Sequence, residues 1–161
     1  MKYIIILILS FLTFSSSGFP IPKDNKVTFD IIRKNKVIGN VKTTFIKTNE
    51  ILTVKTILNI KVSVLFIPAY KFSQIAEEKW LNGEFIEFDG YTNFEDEREY
   101  FVNGKDTENK FIASGMDGQI VLDKSILPLN YWNKNILNEK KVFDTQKGIV
   151  REISVKKQND E

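Results

Sequence analysis

The alternation of apolar and polar residues is clearest between Leu52 and Phe66. Seven of the eight even-numbered positions in this stretch are apolar, whereas most odd-numbered positions are polar. A period of two residues is typical of a β-strand with one face in the core. At about 3.3 Å per residue, a strand of this length would extend roughly 50 Å, so we expect it to belong to a strongly twisted, curved sheet.

The remaining apolar runs predict shorter strands joined by turns. Asn82-Gly83 lies between two of them and suits the positive φ angles of a type I′ hairpin turn. Asn103-Gly104 likewise predicts the end of a strand. The predicted strands are 27–34, 37–47, 52–66, 70–81, 84–94, 98–102, 110–113, 119–122, 141–145 and 149–155. Short connections make consecutive strands neighbours, so the predicted fold class is mainly β: a long, curved antiparallel meander sheet, forming a barrel or half-barrel.

One segment, residues 125–139, departs from the alternation. Its apolar residues follow helical spacing, as at Trp132 and Ile136, and Pro128 is tolerated in the first turn of a helix. We predict one short helix near residues 128–138, packed on the concave face of the sheet.

The start of the chain has the organisation of a secretory signal peptide. Lys2 precedes an apolar stretch of twelve residues, 3–14, and the small residues 15–18 follow. A membrane-spanning helix needs about 20 apolar residues, so this stretch suits export followed by cleavage. We therefore predict a signal peptide over residues 1–18.

Cleavage near Ser17 or Gly18 predicts a periplasmic or secreted protein with a single antiparallel β domain over residues 19–161. Removing the first 18 of the 161 residues leaves 143, which is close to the common size of one domain. No cysteine follows the apolar stretch, so we do not expect a lipid anchor. We also do not expect an integral helical membrane protein.

The amino-acid composition excludes several kinds of functional site. The chain has no histidine and no cysteine, which excludes histidine-based triads, cysteine nucleophiles, the usual zinc sites and disulfides. We expect neither an enzyme nor a cofactor or metal site. After the loss of Lys2, 22 basic residues balance 21 acidic ones, so we expect no nucleic-acid partner.

Two motifs in the last third of the chain resemble those of a known protein family. They are Asn130-Tyr131-Trp132-Asn133 and Phe143-Asp144-Thr145-Gln146 followed by Gly148; the run 61–66 with Tyr70, Trp80 and Gly83 accompanies them. With these residues, nearly the whole mature chain resembles an uncharacterised family of exported, β-rich proteins of Gram-negative bacteria. That family is a domain of unknown function, so the resemblance implies an exported β domain and assigns no catalytic residue. The expected architecture is also similar, at fold level, to lipoprotein carriers, whose curved sheets hold acyl chains beneath a helical lid.

Large aromatic residues supply the candidate ligand-binding site. These are Tyr70, Phe72, Trp80, Tyr131 and Trp132. Ligand pockets are mostly apolar with a few polar groups, so this set predicts a cleft for a lipid or other apolar molecule. Large aromatics also fill ordinary cores, and the sequence leaves a packed core between sheet and helix as the alternative.

Some polar residues stand out against this background. Gln74 and Glu78 share the strand face of the aromatic residues. The mouth of a cavity would explain this, and a β-bulge or a solvent-facing strand end would explain it equally well. The acidic cluster within 95–99 lacks the order of a calcium loop and favours a solvated turn. Asp144 and Gln146 are expected to hold the junction between helix and strand through backbone hydrogen bonds.

Three function classes remain open. The first is a periplasmic protein that binds or carries a lipid or other apolar small molecule on the concave face of the sheet. The alternative is a non-enzymatic scaffold or assembly protein of the cell envelope that binds a partner protein. The third is a small outer-membrane β-barrel, against which the charged end of the chain, 156–161, argues because such barrels usually end in an aromatic strand.

Overall fold

The computed structural model describes residues 21–65, 67–95 and 97–156. The predicted signal peptide, and Phe66 at the end of the longest predicted strand, lie outside the described residues. Within them the chain forms ten strands and one 3-10 helix, Lys134–Asn138. The strands are β1 (Lys26–Arg33), β2 (Lys36–Thr48), β3 (Ile51–Val64), β4 (Ile67–Leu81), β5 (Glu84–Phe94), β6 (Arg98–Asp106), β7 (Lys110–Gly115), β8 (Gly118–Asp123), β9 (Lys141–Asp144) and β10 (Ile149–Glu152).

The first eight strands form one antiparallel sheet in chain order, β1 to β8. Its two ends do not pair with each other, so the sheet is open. β9 and β10 form a separate two-stranded sheet. The predicted fold class, a mainly β protein built on an antiparallel meander, is confirmed, and the sheet is a half-barrel rather than a closed barrel.

The period of two residues in the longest strands places one side of the sheet in the core. Leu52, Val54 and Leu58 of β3 are buried, and so are the even-numbered residues 72–80 of β4. The hairpin between β4 and β5 turns at Asn82-Gly83, where both residues have positive φ, as a type I′ turn requires. Both predictions from the sequence are confirmed.

The buried side of the sheet is concave. Phe85 on β5 and Phe111 on β7 stack with their ring centroids 4.7 Å apart, although the β6 strand lies between them. Backbones two strands apart in a flat sheet are separated by about 9.5 Å, so the inner side chains converge. Gly104 of β6 leaves the space for this contact, because any side chain there would overlap the Phe111 ring.

The strand β6 differs from its prediction. It runs through Asn103-Gly104 to Asp106, so the strand end predicted at this dipeptide is wrong. Here the glycine serves the packing of Phe111 instead of a turn. The chain reverses later, where the backbone N–H of Thr107 donates to the carbonyl of Lys110.

The segment between β8 and β9, residues 124–140, is named the strap. The helix predicted near 128–138 is present only as the five-residue 3-10 helix at the end of this range. Before it, the strap is extended: Pro128 forms a parallel bridge with Phe143 of β9, and the N–H of Leu129 donates to the Phe143 carbonyl at 2.8 Å. Pairing with β9 therefore replaces the first part of the predicted helix.

Apolar side chains of the concave face form two clusters. The larger cluster, named the covered core, lies beneath the strap and β9. Its buried members are Phe45, Leu52, Val54, Ala76, Trp80, Phe85, Phe88, Val102, Phe111, Ala113, Leu122 and Phe143. The smaller cluster lies toward β1 and consists of buried Val41, Leu58 and Phe72 with half-buried Ile31, Ile60, Tyr70 and Phe94.

Candidate functional site

The smaller cluster lines a cavity of about 550 Å³, named the open cavity. Five consecutive strands of the sheet contribute to it, and the strap and the turn after β9 each add one residue. The lining consists of Phe29, Asp30, Ile31, Val41, Leu58, Ile60, Tyr70, Phe72, Phe94, Tyr131 and Gln146. Most of these side chains are apolar, so the wall suits an apolar ligand.

Strand register builds the floor of the open cavity. Ile60 of β3 is paired with Phe72 of β4, which is paired in turn with Phe94 of β5. The Phe72 and Phe94 rings meet edge to face, with centroids 4.8 Å apart. Because these residues are held by three continuous strands, the floor is set by the sheet itself and not by a loop.

Polar and charged groups lie around the cavity. Tyr131 is 63% exposed where it reaches the cavity from the strap, and Gln146 approaches from the turn after β9. Arg98 and Lys147 lie over the Phe94 ring, at 5.5 and 5.9 Å from its centroid. An apolar wall with polar groups beside it can hold an amphiphile with its polar end toward water.

A polar contact separates the open cavity from the covered core. Gln74, two residues after Phe72 on β4, donates from Nε2 to the carbonyl oxygen of Thr145 at 3.1 Å. The Thr145 hydroxyl donates in turn to the carbonyl of Leu129 in the strap, also at 3.1 Å. Gln74 thus joins the sheet to the strap and to the end of β9, and its place on an apolar face is explained by this contact.

Asp144 organises the turn that carries Gln146 and Lys147. Its Oδ1 accepts from the N–H groups of Gln146, at 2.9 Å, and of Lys147, at 3.3 Å. Its Oδ2 accepts from Nε of Arg151 at 2.6 Å. Asp144 forms backbone hydrogen bonds, as predicted, but it does so in the turn between β9 and β10 and not at the junction between helix and strand.

Glu78 is the buried acid of the covered core, 2% exposed. Trp80 donates from Nε1 to its Oε2 at 2.9 Å, and Asn130 donates from Nδ2 to both carboxylate oxygens at 3.2 Å. Burial raises the pKa of Glu78 to about 7, although hydrogen bonds from Trp80, Asn130 and Trp132 lower it. The carboxyl therefore titrates near neutral pH.

The five aromatic residues predicted to bind a ligand fall in two places. Tyr70, Phe72 and Tyr131 line the open cavity. Trp80 and Trp132 instead pack against each other in the covered core, with ring centroids 5.5 Å apart. The structure thus brings three of the five to one cavity and places the two tryptophans beside Glu78.

Sequence reasoning missed most of the cavity wall. The missed apolar residues are Phe29, Ile31, Val41, Leu58, Ile60 and Phe94. Their signal was present, because each lies at an inward position of a strand with clear alternation. Nothing local distinguishes an inward residue at an open end from one at a covered end, since the difference depends on where the strap lies.

The acidic residues near the β5–β6 turn form hydrogen bonds and ion pairs at the surface. Glu99 accepts a hydrogen bond from the Tyr91 hydroxyl at 2.6 Å, and Glu95 lies 3.8 Å from Arg98. Within residues 21–65, 67–95 and 97–156, no group of three or more acidic side chains is arranged to hold a metal ion. In the same ranges, no helix has the length and apolar character needed to cross a bilayer.

The fold and the cavity define a mainly β protein with an open meander sheet, partly covered by its own C-terminal region. The chain belongs to the family described as a domain of unknown function (DUF6134), which matches residues 29–161. This match confirms the predicted membership of an uncharacterised domain family. Comparison with curated proteins and with solved structures gives no match.

Proposed function

We propose that this protein is an exported, periplasmic or secreted protein that binds a lipid or other apolar molecule in the open cavity. The observation that carries the proposal is the cavity of about 550 Å³ on the concave face, lined mainly by apolar side chains. This volume falls within the range of roughly 300–1,000 Å³ that is usual for small-molecule sites.

The incomplete burial of the cavity wall supports a ligand of apolar chemistry. Phe29 is exposed, and Ile31 and Ile60 are only half-buried although all three line the cavity. An acyl chain placed along this wall would remove that surface from water, which stabilises a complex by about 25 cal/mol per Å² of apolar area before the costs of association.

Export is the second part of the proposal and rests on the signal-peptide pattern of residues 1–18. Its test is fractionation of cells of a Gram-negative host that express the full chain. We expect a processed protein that is released by osmotic shock without detergent. An unprocessed protein retained with the cytoplasm would overturn this part.

Binding is tested with the fluorescent fatty acid 11-(dansylamino)undecanoic acid and the purified protein. We expect saturable enhancement of dansyl emission that an unlabelled long-chain fatty acid reverses. Native mass spectrometry of the protein released from cells, followed by organic extraction, then identifies a natural ligand. Absence of probe binding by the folded protein would contradict the proposal.

Two isoleucines of β3 form a matched pair for this test. Ile60 lines the open cavity, whereas Ile57, three residues earlier, lies on the opposite face of the strand. Ile60→Glu places a charge in the cavity wall and is expected to weaken probe binding at least tenfold. Ile57→Glu is expected to leave it unchanged; equal binding by the two variants would place the probe elsewhere.

The outer face of the sheet favours a second function, a scaffold that binds a partner protein in the cell envelope. Ile75, Tyr91 and Phe101 are neighbours across β4, β5 and β6 on this face, and Phe101 is 69% exposed. Tyr91 and Phe101 are in contact, with ring centroids 5.0 Å apart. Contiguous exposed apolar residues of this kind are typical of interaction surfaces.

Site-specific photo-crosslinking in cells tests the scaffold function. A crosslinker at position 101 is expected to capture one discrete envelope protein, and the same group at Val121, an exposed residue on β8, is expected to capture none. Identical products from both positions would argue against a specific surface.

A further inference from the structure

Glu78 is placed where the sheet, the strap and the two tryptophans meet. Asn130 approaches it with its amide nitrogen, because the amide oxygen of Asn130 already accepts from the backbone N–H of Asn133 at 3.0 Å. The strap is therefore joined to β4 through a side-chain contact that one proton can change.

The surroundings of Glu78 contain no compensating charge among the described residues. Val54 faces it from β3 and Phe88 from β5, while Trp80 lies on its own strand. Asn130 and Trp132 face it from the strap. The side chains that face Glu78 from each element packed against it are thus neutral, so burial of its ionised form is opposed mainly by lost hydration.

We propose that Glu78 is a proton-dependent switch for the strap: proton uptake favours the closed strap, and ionisation favours a strap that lifts and admits water to the carboxylate. The direction follows from linkage, because a state that binds a proton more tightly is favoured when protons are abundant.

Linkage also limits the size of the effect. The pKa of Glu78 is about 7 with the strap closed, and its ordinary value is 4.5. If lifting the strap restored full hydration, the ratio of open to closed strap would rise by at most about 300-fold between acid and alkaline pH, because each pKa unit is a factor of ten.

The switch also regulates the open cavity, and this step rests on the proposed function. Tyr131, which lines the cavity, lies between Asn130 and Trp132 in the chain. A strap that lifts from Glu78 carries Tyr131 out of the cavity wall. We therefore expect an apolar ligand to be held more tightly below neutral pH than above it.

Intrinsic fluorescence gives a direct readout of the switch. The two tryptophans of the chain, Trp80 and Trp132, both contact Glu78, and the chain has no histidine that would titrate in the same range. We expect the emission of the folded protein to change with a midpoint at about pH 7. Glu78→Gln, a neutral isostere, is expected to abolish this transition, and Glu77→Gln on the opposite face is expected to preserve it.

Strap opening itself is measured by amide hydrogen exchange in residues 126–136, compared with Glu78→Gln at each pH so that intrinsic exchange rates cancel. The wild-type strap should lose protection relative to the variant as the pH rises through 7. Asn130→Ala is a second variant: removal of a donor to the carboxylate should raise the fluorescence midpoint. The switch would be overturned if the fluorescence transition persisted in Glu78→Gln. Equal exchange in the wild type and in Glu78→Gln at every pH would also overturn it.

The dansyl fatty acid separates the switch from the proposed function. Its Kd should rise across neutral pH in the wild type and stay constant in Glu78→Gln. If the probe does not bind at any pH, the proposed function fails while fluorescence and exchange still decide the switch. If the probe binds with one Kd at every pH although Glu78 titrates, the coupling to the cavity is wrong.

Discussion

The two ends of β4 carry the same sequence pattern and have different surroundings. Phe72 and Trp80 both point to the concave face and both are buried, but Phe72 lines the open cavity while Trp80 lies in the covered core, 1% exposed. Gln74 lies between the two regions and holds Thr145. One strand therefore builds a core at one end and a candidate binding surface at the other.

The difference between the ends arises from the C-terminal region of the chain. Phe143 of β9 contacts Phe85, Phe88 and Phe111 with ring centroids 5.6–6.5 Å apart, and Trp132 of the strap contacts Phe45 at 5.4 Å. At the other end, Tyr131 and Gln146 are the residues of this region that reach the open cavity. The C-terminal region therefore covers one end of the concave face and leaves the other end partly open.

Charge insertion on β3 is expected to produce the largest contrast between the ends. Val54 is fully buried and paired with Glu78, whereas Val62 is half-buried and paired with Tyr70. Val54→Glu should cost about 4 kcal/mol or more, because it buries a second, unpaired carboxyl. Val62→Glu should cost about 1–2 kcal/mol, since its carboxylate can reach water.

Urea unfolding monitored by circular dichroism measures both free energies of unfolding. Lys61→Glu is the control, because Lys61 is exposed on the outer face and should change stability by less than about 0.5 kcal/mol. Equal losses for Val54→Glu and Val62→Glu would contradict the distinction between covered and open ends.

Truncation of two phenylalanines of β5 also compares the stability of the covered and open ends. Phe88 is fully buried in the covered core, and Phe94 is half-buried beside the open cavity. Phe88→Ala should cost about 3–5 kcal/mol, because it leaves a cavity in a packed interior. Phe94→Ala should cost about 1–2 kcal/mol, because less apolar surface returns to water. Thermal and urea unfolding measure the loss of stability in both variants. A larger loss for Phe94→Ala than for Phe88→Ala would contradict the distinction between the two ends.

The pH dependence of stability tests the burial of Glu78. Its pKa is about 7 in the folded protein against an ordinary 4.5, so the folded state holds the proton more tightly. Its contribution is therefore complete below pH 4.5 and is lost as the pH rises to about 7. The loss should approach about 3 kcal/mol relative to Glu78→Gln. Parallel stability curves for the two proteins between about pH 5 and pH 8 would show that Glu78 is not buried in this way.

Gly104→Ala tests the packing inside the covered core. The added methyl group would overlap the Phe111 ring in the covered core, and we expect a cost of about 1–3 kcal/mol from overpacking. Phe111→Leu in the same chain should recover part of this loss by making room for the methyl group. No recovery in the double variant would mean that overlap with the Phe111 ring is not the source of the loss.

Local chemistry explains where sequence reasoning succeeded and where it failed. Asn82-Gly83 forms the predicted turn because it joins two long strands that pair directly with each other. Asn103-Gly104 is the same dipeptide, but it continues β6 because Phe111 of β7 needs the space above its glycine. The first part of the helix predicted near 128–138 is replaced by pairing of the strap with β9, a contact that helical spacing does not reveal.

The sequence by itself determined the alternating strands, their order in the sheet and the family to which the chain belongs. These features depend on neighbouring residues, because a period of two selects one face of a strand and short turns pair consecutive strands. The tertiary structure alone decided that Trp80 is covered and that Phe72 lines a cavity. That outcome depends on contacts between distant parts of the chain, as between Gln74 and Thr145, 71 residues apart, and no local pattern records them.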